Sequence, residues 1–171
     1  MTGRPERSES VEHFWKYIDR VQGDDPIAAM ERQLRDSETL LGNISEEKST
    51  YRYAPGKWSM RQALSHVTDT ERSFAYRALW FGRGFTEPLH GLPEDEAAVA
   101  AQADRIPWAA HVEEFRRVRL ATLSLFQNMP SEAWLRRGLV SGNPITVRAV
   151  AFLCTGHAEH HFILLRERYL I

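Results

Sequence analysis

Apolar residues recur at intervals of three and four along several long windows of the chain, the spacing that places them on one face of an α-helix. This helical spacing predicts an all-α protein. The chain shows no internal repeat. Residues 1–10 are polar and are predicted to be frayed. A short amphipathic segment follows and ends near Gly23, with apolar positions at Val11, Phe14, Ile18 and Val21.

The first long helix is predicted to begin at Asp25 and Pro26, because aspartate is a good N-cap and proline suits the first helical position. Its end is predicted near Gly42 and Asn43, since glycine has a low helix propensity. The apolar stripe of this helix comprises Ile27, Met30, Leu34, Leu41 and Ile44.

The second long helix is predicted to begin at Ser59, directly after a Pro-Gly turn, because Ser59 and Gln62 have the spacing of a capping box. Its end is predicted near Gly82. Glu71 falls where the helical spacing calls for another apolar side chain. The apolar stripe itself comprises Met60, Leu64, Val67, Phe74 and Ala78.

A long connection separates the second helix from the third, and its alanine-rich stretch from Glu94 to Ala103 favours a short helix. The third long helix is predicted from about Pro107 to Asn128, with Arg119 on its apolar stripe. The last helix is predicted to begin between Asn143 and Thr146 and to reach the C-terminal residues. These elements predict an all-α four-helix bundle with a long crossover between helices two and three.

The composition narrows the functional classes. With 171 residues, 43% of them apolar, the chain is predicted to form a single domain over residues 1–171. It carries 22 basic and 23 acidic residues, a balance that argues against nucleic-acid binding. No apolar run approaches the roughly 20 residues of a membrane helix. Because Cys154 is the only cysteine and the start lacks a signal-peptide core, we expect a cytoplasmic protein.

Two of the seven histidines lie on the predicted inward face of the last helix. His157 and His161 are four residues apart, so their imidazoles lie one above the other, close enough to bind one metal ion. His66, beside the apolar stripe of the second helix, is the third candidate ligand. Three imidazoles leave coordination positions open, as in catalytic metal sites. The alternative is that these are ordinary core histidines with hydrogen-bond partners.

Other residues have weaker claims to a role in the site. His160 is expected on a flank of the last helix, and a lone cysteine such as Cys154 is more often a small buried apolar residue than a ligand. Glu71 and Arg119 are expected either to line a polar cavity near the metal or to pair with each other. The remaining histidines are expected at the surface, namely His13, His90 and His111.

Several enzyme classes lack their sequence signatures. In the zinc-protease motif glutamate directly follows the first histidine, whereas Ala158 follows His157 here. A GxSxG nucleophile elbow, a P-loop and a GxGxxG after a strand are also missing. The sequence therefore argues against that protease class, serine-dependent acyl transfer, nucleotide hydrolysis and dinucleotide binding.

Two stretches, YRYAPGKWSMRQALSHVTDTERSFAYRAL and GHAEHHFILLRERY, resemble the DinB-like superfamily, in particular its second DinB-type subfamily. The likeness spans nearly the whole chain and rests on 54–59, on His66 with Asp69 and Glu71, and on 156–161. It implies a four-helix bundle with one long crossover, commonly dimeric, that holds a divalent nickel, zinc or similar ion through three histidines. Carried over to this chain, the ligands are His66, His157 and His161.

The resemblance also bears on activity. Members of this family with an assigned activity are thiol S-transferases or isomerases that use low-molecular-weight thiols such as bacillithiol or mycothiol. The family name records induction by DNA damage, which implies a stress response and does not imply DNA binding.

The leading hypothesis is a metal-dependent enzyme that activates a low-molecular-weight thiol or water for attack on a small electrophile, as a thiol S-transferase or a hydrolase. Glu71 is the candidate for proton transfer or for a supporting role beside the ligands. The rival is a non-catalytic metal-binding stress-response module whose bundle serves to dimerise. A purely structural helical bundle is the third possibility. A fourth protein ligand that closed the site would favour the rival module.

Overall fold

The computed structural model describes residues 3–171, which form α-helices and one short β-hairpin. A π-helical turn, Leu165–Tyr169, follows the last helix. None of the helices within this range combines the length and apolar content needed to cross a membrane. The elements in chain order are α1 (Glu12–Ile18), α2 (Pro26–Gly42), α3 (Met60–Gly82), α4 (Glu94–Ala100), α5 (Trp108–Gln127), β1 (Arg137–Val140), β2 (Asn143–Thr146) and α6 (Val147–Leu164).

Four long helices, α2, α3, α5 and α6, form the bundle. Helix α3 packs against α5 and α6, and α2 packs against the same two helices. Helix α2 therefore lies diagonally opposite α3, and α5 lies opposite α6. The connection from α3 to α5 spans residues 83–107 and carries α4. The predicted all-α four-helix bundle with a crossover between its second and third long helices is confirmed.

Local signals in the sequence determine where the long helices begin. The Asp25 carboxylate accepts hydrogen bonds from the backbone N–H groups of Ile27 and Ala28, which caps α2. Ser59 and Gln62 each accept from the backbone N–H of the other and form the predicted capping box of α3. These caps satisfy donors that a helix start would otherwise leave without partners.

Helix α6 is the central element of the core, and residues 149–158 are buried without interruption. Helix α1 packs closely on the outer face of α6. The backbones are so near that a Cβ atom on Gly156 would lie only 2.0 Å from the carbonyl oxygen of Tyr17. Glycine at this position thus allows the two backbones to approach. The close contact places Tyr17 beside the histidines of α6.

The β-hairpin is a feature that the apolar pattern of the sequence does not predict. Strands β1 and β2 pair antiparallel, and the turn between them uses Ser141 and Gly142 with φ values of 48° and 79°. Leu89 of the crossover forms a parallel bridge with Val140 and ties the crossover to the hairpin. Strands of four residues are too short for a clear alternating pattern, so the segment resembled a loop. Thr146, the last residue of β2, is the N-cap of α6, so this helix begins at the end of the predicted range.

Two further regions differ from the sequence-based expectations. Within residues 3–10, which were predicted to be frayed, Glu9 is buried and accepts hydrogen bonds from Thr146 and Arg148 at the start of α6. Met1 and Thr2 lie outside the described residues. The surface position predicted for His111 is wrong, because its side chain is buried and its Nε2 lies 2.9 Å from the carbonyl oxygen of Ala103.

Candidate metal centre

The structure brings His66 of α3 together with His157 and His161 of α6. One candidate ligand atom from each ring lies within 4.8 Å of the other two. The Nε2 atoms of His66 and His157 are 3.2 Å apart. Two nitrogens bound to one tetrahedral ion at 2.0–2.1 Å would be about 3.3 Å apart, so this separation fits two ligands of a shared ion. The donor set and its spacing therefore suit a divalent transition metal.

The positions of the rings follow from the local sequence and from packing. The four-residue spacing on α6 places His157 and His161 on one face, with ring centroids 4.7 Å apart. The packing of α3 on α6 then places His66 with its ring centroid 5.0 Å from that of His157 and 4.9 Å from that of His161. Aromatic rings enclose the group, since Trp58 lies 4.9 Å from His66 and Tyr17 lies 5.3 Å from His157, centroid to centroid.

The three imidazoles are held in their neutral form. Burial lowers the pKa of His161 to about 3, and the neighbouring His66 adds to the effect. Burial also lowers the pKa of His157 well below its ordinary value, with further contributions from His161 and His66. The pKa of His66 is lowered by burial as well. Neutral imidazole is the form that donates a lone pair to a metal.

Acidic side chains lie near His66 and favour a positive charge on that side of the cluster. Asp69 of α3 and the residues Glu94 and Asp95 of α4 act on His66 and raise its pKa against the larger effect of burial. Neither Glu94 nor Asp95 was among the site residues predicted from the sequence. Their signal was the run of three acidic residues in the first turn of α4. Only the crossover of the chain places that turn next to the histidines.

Histidines of the cluster line two cavities. The His161 cavity has a volume of about 340 Å³ and is lined by Tyr53, Trp58, Asp95 and Tyr169 besides His161. The His157 cavity has a volume of about 310 Å³, and its lining includes Lys16, Tyr17, Thr70, Arg77, Glu94 and His157. Within residues 3–171, no Cys, Asp or Glu joins the three histidines as a fourth potential ligand. The arrangement therefore leaves room for small molecules beside the ligand nitrogens.

Glu71 pairs with Arg119 and does not belong to the group of three histidines. Its two carboxylate oxygens accept hydrogen bonds from Nε and Nη2 of Arg119, at 2.7 and 2.8 Å. Arg119 also donates to the side-chain oxygen of Gln33. Of the two alternatives offered for Glu71 and Arg119, the structure shows the mutual pair. The catalytic assignment of Glu71 stays a prediction.

The remaining candidates lie outside the group of three. Cys154 is buried in the core, and burial raises the pKa of its thiol well above the ordinary value, so the thiolate is disfavoured. His160 lies on the flank of α6, where its ring meets Tyr17 edge to face at a centroid distance of 5.3 Å. His13 and His90 are exposed, as expected.

The fold and the cluster together define a helical-bundle protein with a candidate metal centre on two facing helices. The family model of the DinB superfamily matches residues 29–165, a range that contains all three histidines. The chain therefore belongs to the DinB superfamily. This confirms the family resemblance found in the sequence.

Solved structures share the fold at low sequence identity. YfiT from Bacillus subtilis, described as a probable metal-dependent hydrolase with an unusual four-helix bundle topology, matches with a TM-score of 0.70 and 16% identity, over 96% of this chain and 90% of YfiT. A mycothiol-dependent maleylpyruvate isomerase matches with a TM-score of 0.69 and 12% identity, over 81% of this chain and 58% of the isomerase. The comparison with curated proteins finds no match.

Proposed function

We propose that this chain is a metal-dependent enzyme in which His66, His157 and His161 hold a divalent nickel or zinc ion. The proposed reaction is attack by a low-molecular-weight thiol or by water on a small electrophile. The observation that carries the proposal is the convergence of three imidazoles, within 4.8 Å of one another, at a place that two cavities reach. Three protein ligands and open coordination positions are typical of catalytic metal sites.

The residues of the chain prepare the site for a cation. The lowered pKa values of the three histidines keep their nitrogens free of protons near neutral pH. The carboxylates of Asp69, Glu94 and Asp95 supply negative charge near His66. When bound, a divalent ion supplies Lewis acidity, which lowers the pKa of a coordinated thiol or water.

Two cavities at one site suit a reaction between two small molecules. One is lined by His161 and the other by His157, and in this proposal each cavity takes one of the two molecules, the thiol or the electrophile. The two structural neighbours support the two variants of the proposal, because one is a probable hydrolase and the other depends on a thiol. In this proposal Glu71 supports the position of α3 through Arg119, and its predicted role in proton transfer depends on release from that pair.

The proposed enzyme also has an oligomeric state and a cellular compartment. We propose a homodimer, which is supported by apolar side chains on the surface near the end of α3, where Tyr76, Leu79 and Phe85 are 50%, 40% and 50% exposed. A cytoplasmic stress-response role completes the proposal, and the single cysteine is compatible with that reducing compartment.

Metal analysis of the purified protein tests the site. We expect about one divalent ion per chain, a loss of at least about tenfold in metal content for His157→Ala, and no loss for the exposed control His90→Ala. Wild-type protein without bound divalent metal, even after incubation with nickel or zinc, would refute the proposal.

Activity assays then distinguish the S-transferase, the hydrolase and the non-catalytic module. A reaction of small electrophiles that depends on an added thiol indicates the S-transferase, and thiol-independent hydrolysis indicates the hydrolase. Metal binding without turnover of any electrophile indicates the non-catalytic module.

A further inference from the structure

The His157 cavity contains two buried polar groups that the fold leaves without partners. Within residues 3–171, Nε of Arg77 and the hydroxyl of Thr70 are buried and have no hydrogen-bond partner. Arg77 is 7% exposed and Thr70 is 5% exposed, and both line the cavity. Unsatisfied buried donors of this kind destabilise a protein, so each one calls for an explanation.

Arg77 differs in this respect from Arg61 and Arg119, which are also buried. Arg61 donates to Ser49 and Glu46, and Arg119 donates to Glu71 and Gln33, whereas Nε of Arg77 has no hydrogen-bond partner within residues 3–171. Its guanidinium carbon lies 5.3 Å from the ring centroid of Phe74. Burial lowers the pKa of Arg77, and Glu94 raises it in part. The guanidinium remains a cation near neutral pH, because arginine side chains stay protonated in proteins.

The two groups are aligned with the candidate metal centre. Thr70 and Arg77 follow His66 by four and eleven residues on α3, which places all three on the same face of the helix. His157 lines the same cavity as Thr70 and Arg77. A molecule that occupies this cavity therefore lies against Thr70 and Arg77 as well as against His157 of the histidine cluster.

The charges and apolar surface of the cavity indicate what it accepts. Lys16 and Arg77 outweigh the single carboxylate of Glu94. This balance suits a group with one negative charge and disfavours a phosphate dianion next to Glu94. The apolar part of the lining suits a hydrocarbon body and consists of Phe14, Phe74, Leu92, Val140 and Leu153.

We propose that the His157 cavity binds the carboxylate of a small substrate through the guanidinium of Arg77 and the hydroxyl of Thr70. The planar fork of donors on a guanidinium matches the two oxygens of a carboxylate. The substrate of the proposed enzyme is then a small apolar monocarboxylate whose reactive part points toward His157. The link to catalysis rests on the proposed function, whereas the carboxylate site stands on the geometry of the cavity.

Binding of benzoate to the full chain tests the proposal, with benzamide as the uncharged isostere and inorganic phosphate as the competing anion. Titrations followed by NMR are made on protein as purified, with its metal content measured, and again after treatment with a chelator. We expect benzoate to bind in both preparations, and benzamide and phosphate to bind at least about tenfold more weakly.

Variants connect the binding to the named donors. We expect Arg77→Met to weaken benzoate binding at least about tenfold and Thr70→Val to weaken it several-fold. We expect neither variant to be less stable than the wild type, because each removes a buried group without a partner. Arg83→Met, an exposed change of equal charge near the end of the same helix, is the control and should bind benzoate normally. If Arg77→Met fails to fold, Thr70→Val carries the test.

Four results would overturn the proposal. These are unchanged benzoate binding in the folded variants, equal binding of benzamide, stronger binding of phosphate, and binding that His157→Ala and the chelator abolish while Arg77→Met leaves it intact. The last result would mean that benzoate binds a metal and not Arg77. Benzoate binding to a chain that takes up no divalent metal would support the carboxylate site and refute the proposed function, so the two failures are distinguishable.

Discussion

The Glu71–Arg119 pair and the histidine cluster are both polar, both buried and both at the interface of α3 with its neighbours, yet they are satisfied to different degrees. Arg119 donates to both oxygens of Glu71 and to Gln33, and Gln33 donates in turn to the backbone oxygen of Thr155. Within residues 3–171, the three imidazoles share one hydrogen bond, between His66 and His157.

This difference indicates that the Glu71–Arg119 pair contributes to stability, whereas the histidine cluster is available for binding. The Glu71–Arg119 pair, extended by Gln33 and Thr155, links all four helices of the bundle and uses its polar atoms within the protein. The imidazoles of the histidine cluster keep lone pairs that a ligand can use, and two cavities reach the cluster. A buried polar group that is satisfied supports the fold, and one that is left unsatisfied is available to a ligand.

The largest expected effect comes from Arg119→Met. Removal of the guanidinium leaves Glu71 buried without a counter-ion, and breaking a buried pair in this way costs about 3–5 kcal/mol. Urea unfolding of this variant measures the cost. The control Arg117→Met removes an exposed pair with Glu113 and should change the free energy of unfolding by less than about 1 kcal/mol. Similar losses for the two variants would break the comparison.

A smaller effect is expected from Glu9→Gln, which tests an ionic group at the edge of the bundle. Glu9 accepts from Thr146 and Arg148, and the variant should lose about 2 kcal/mol of unfolding free energy at pH 7. Burial raises the pKa of Glu9, but these hydrogen bonds outweigh it and hold the pKa below the ordinary value of 4.5.

The sign of that pKa shift determines the pH dependence of Glu9→Gln. The contribution of Glu9 is fully present above pH 4.5 and is lost as the pH falls through its lower folded-state pKa. Urea titrations at several pH values should therefore show the variant and the wild type converging in acid. A constant difference down to pH 2 would contradict this account. Glu12→Gln, at an exposed position, is the control.

The smallest effect on stability is expected for His66→Leu in metal-free protein. The change removes a desolvated imidazole whose one hydrogen bond is to His157, so the free energy of unfolding should change by no more than about 1 kcal/mol. The same variant should no longer gain thermal stability from added zinc or nickel, which stabilises the wild type by binding to the folded state. A loss of several kcal/mol without metal would show that the cluster is structural.

Local signals predicted much of the site. The four-residue spacing of His157 and His161 and the position of His66 beside an apolar stripe identified the three residues that the structure brings together. Caps at Asp25 and Ser59 placed the starts of two long helices. These features depend on neighbours within one or two helical turns, which a single sequence records directly.

Other features depended on residues distant along the chain. The proximity of the acidic first turn of α4 to His66 could not be inferred from any one helix. Nor could the lack of a hydrogen-bond partner for Nε of Arg77 within residues 3–171. The same holds for residues 3–10, because the partners of Glu9 follow more than 130 positions later.

The amino-acid sequence by itself determined that the chain forms long amphipathic helices and that two of them carry inward-facing histidines, because helical periodicity assigns each side chain to a face. Only the tertiary structure decided which faces meet. The packing of the helices pairs Glu71 with Arg119 and not with the histidines, and within residues 3–171 it leaves Nε of Arg77 without a hydrogen-bond partner. Contacts across the bundle depend on how distant segments pack, and periodicity along one segment carries no information about them.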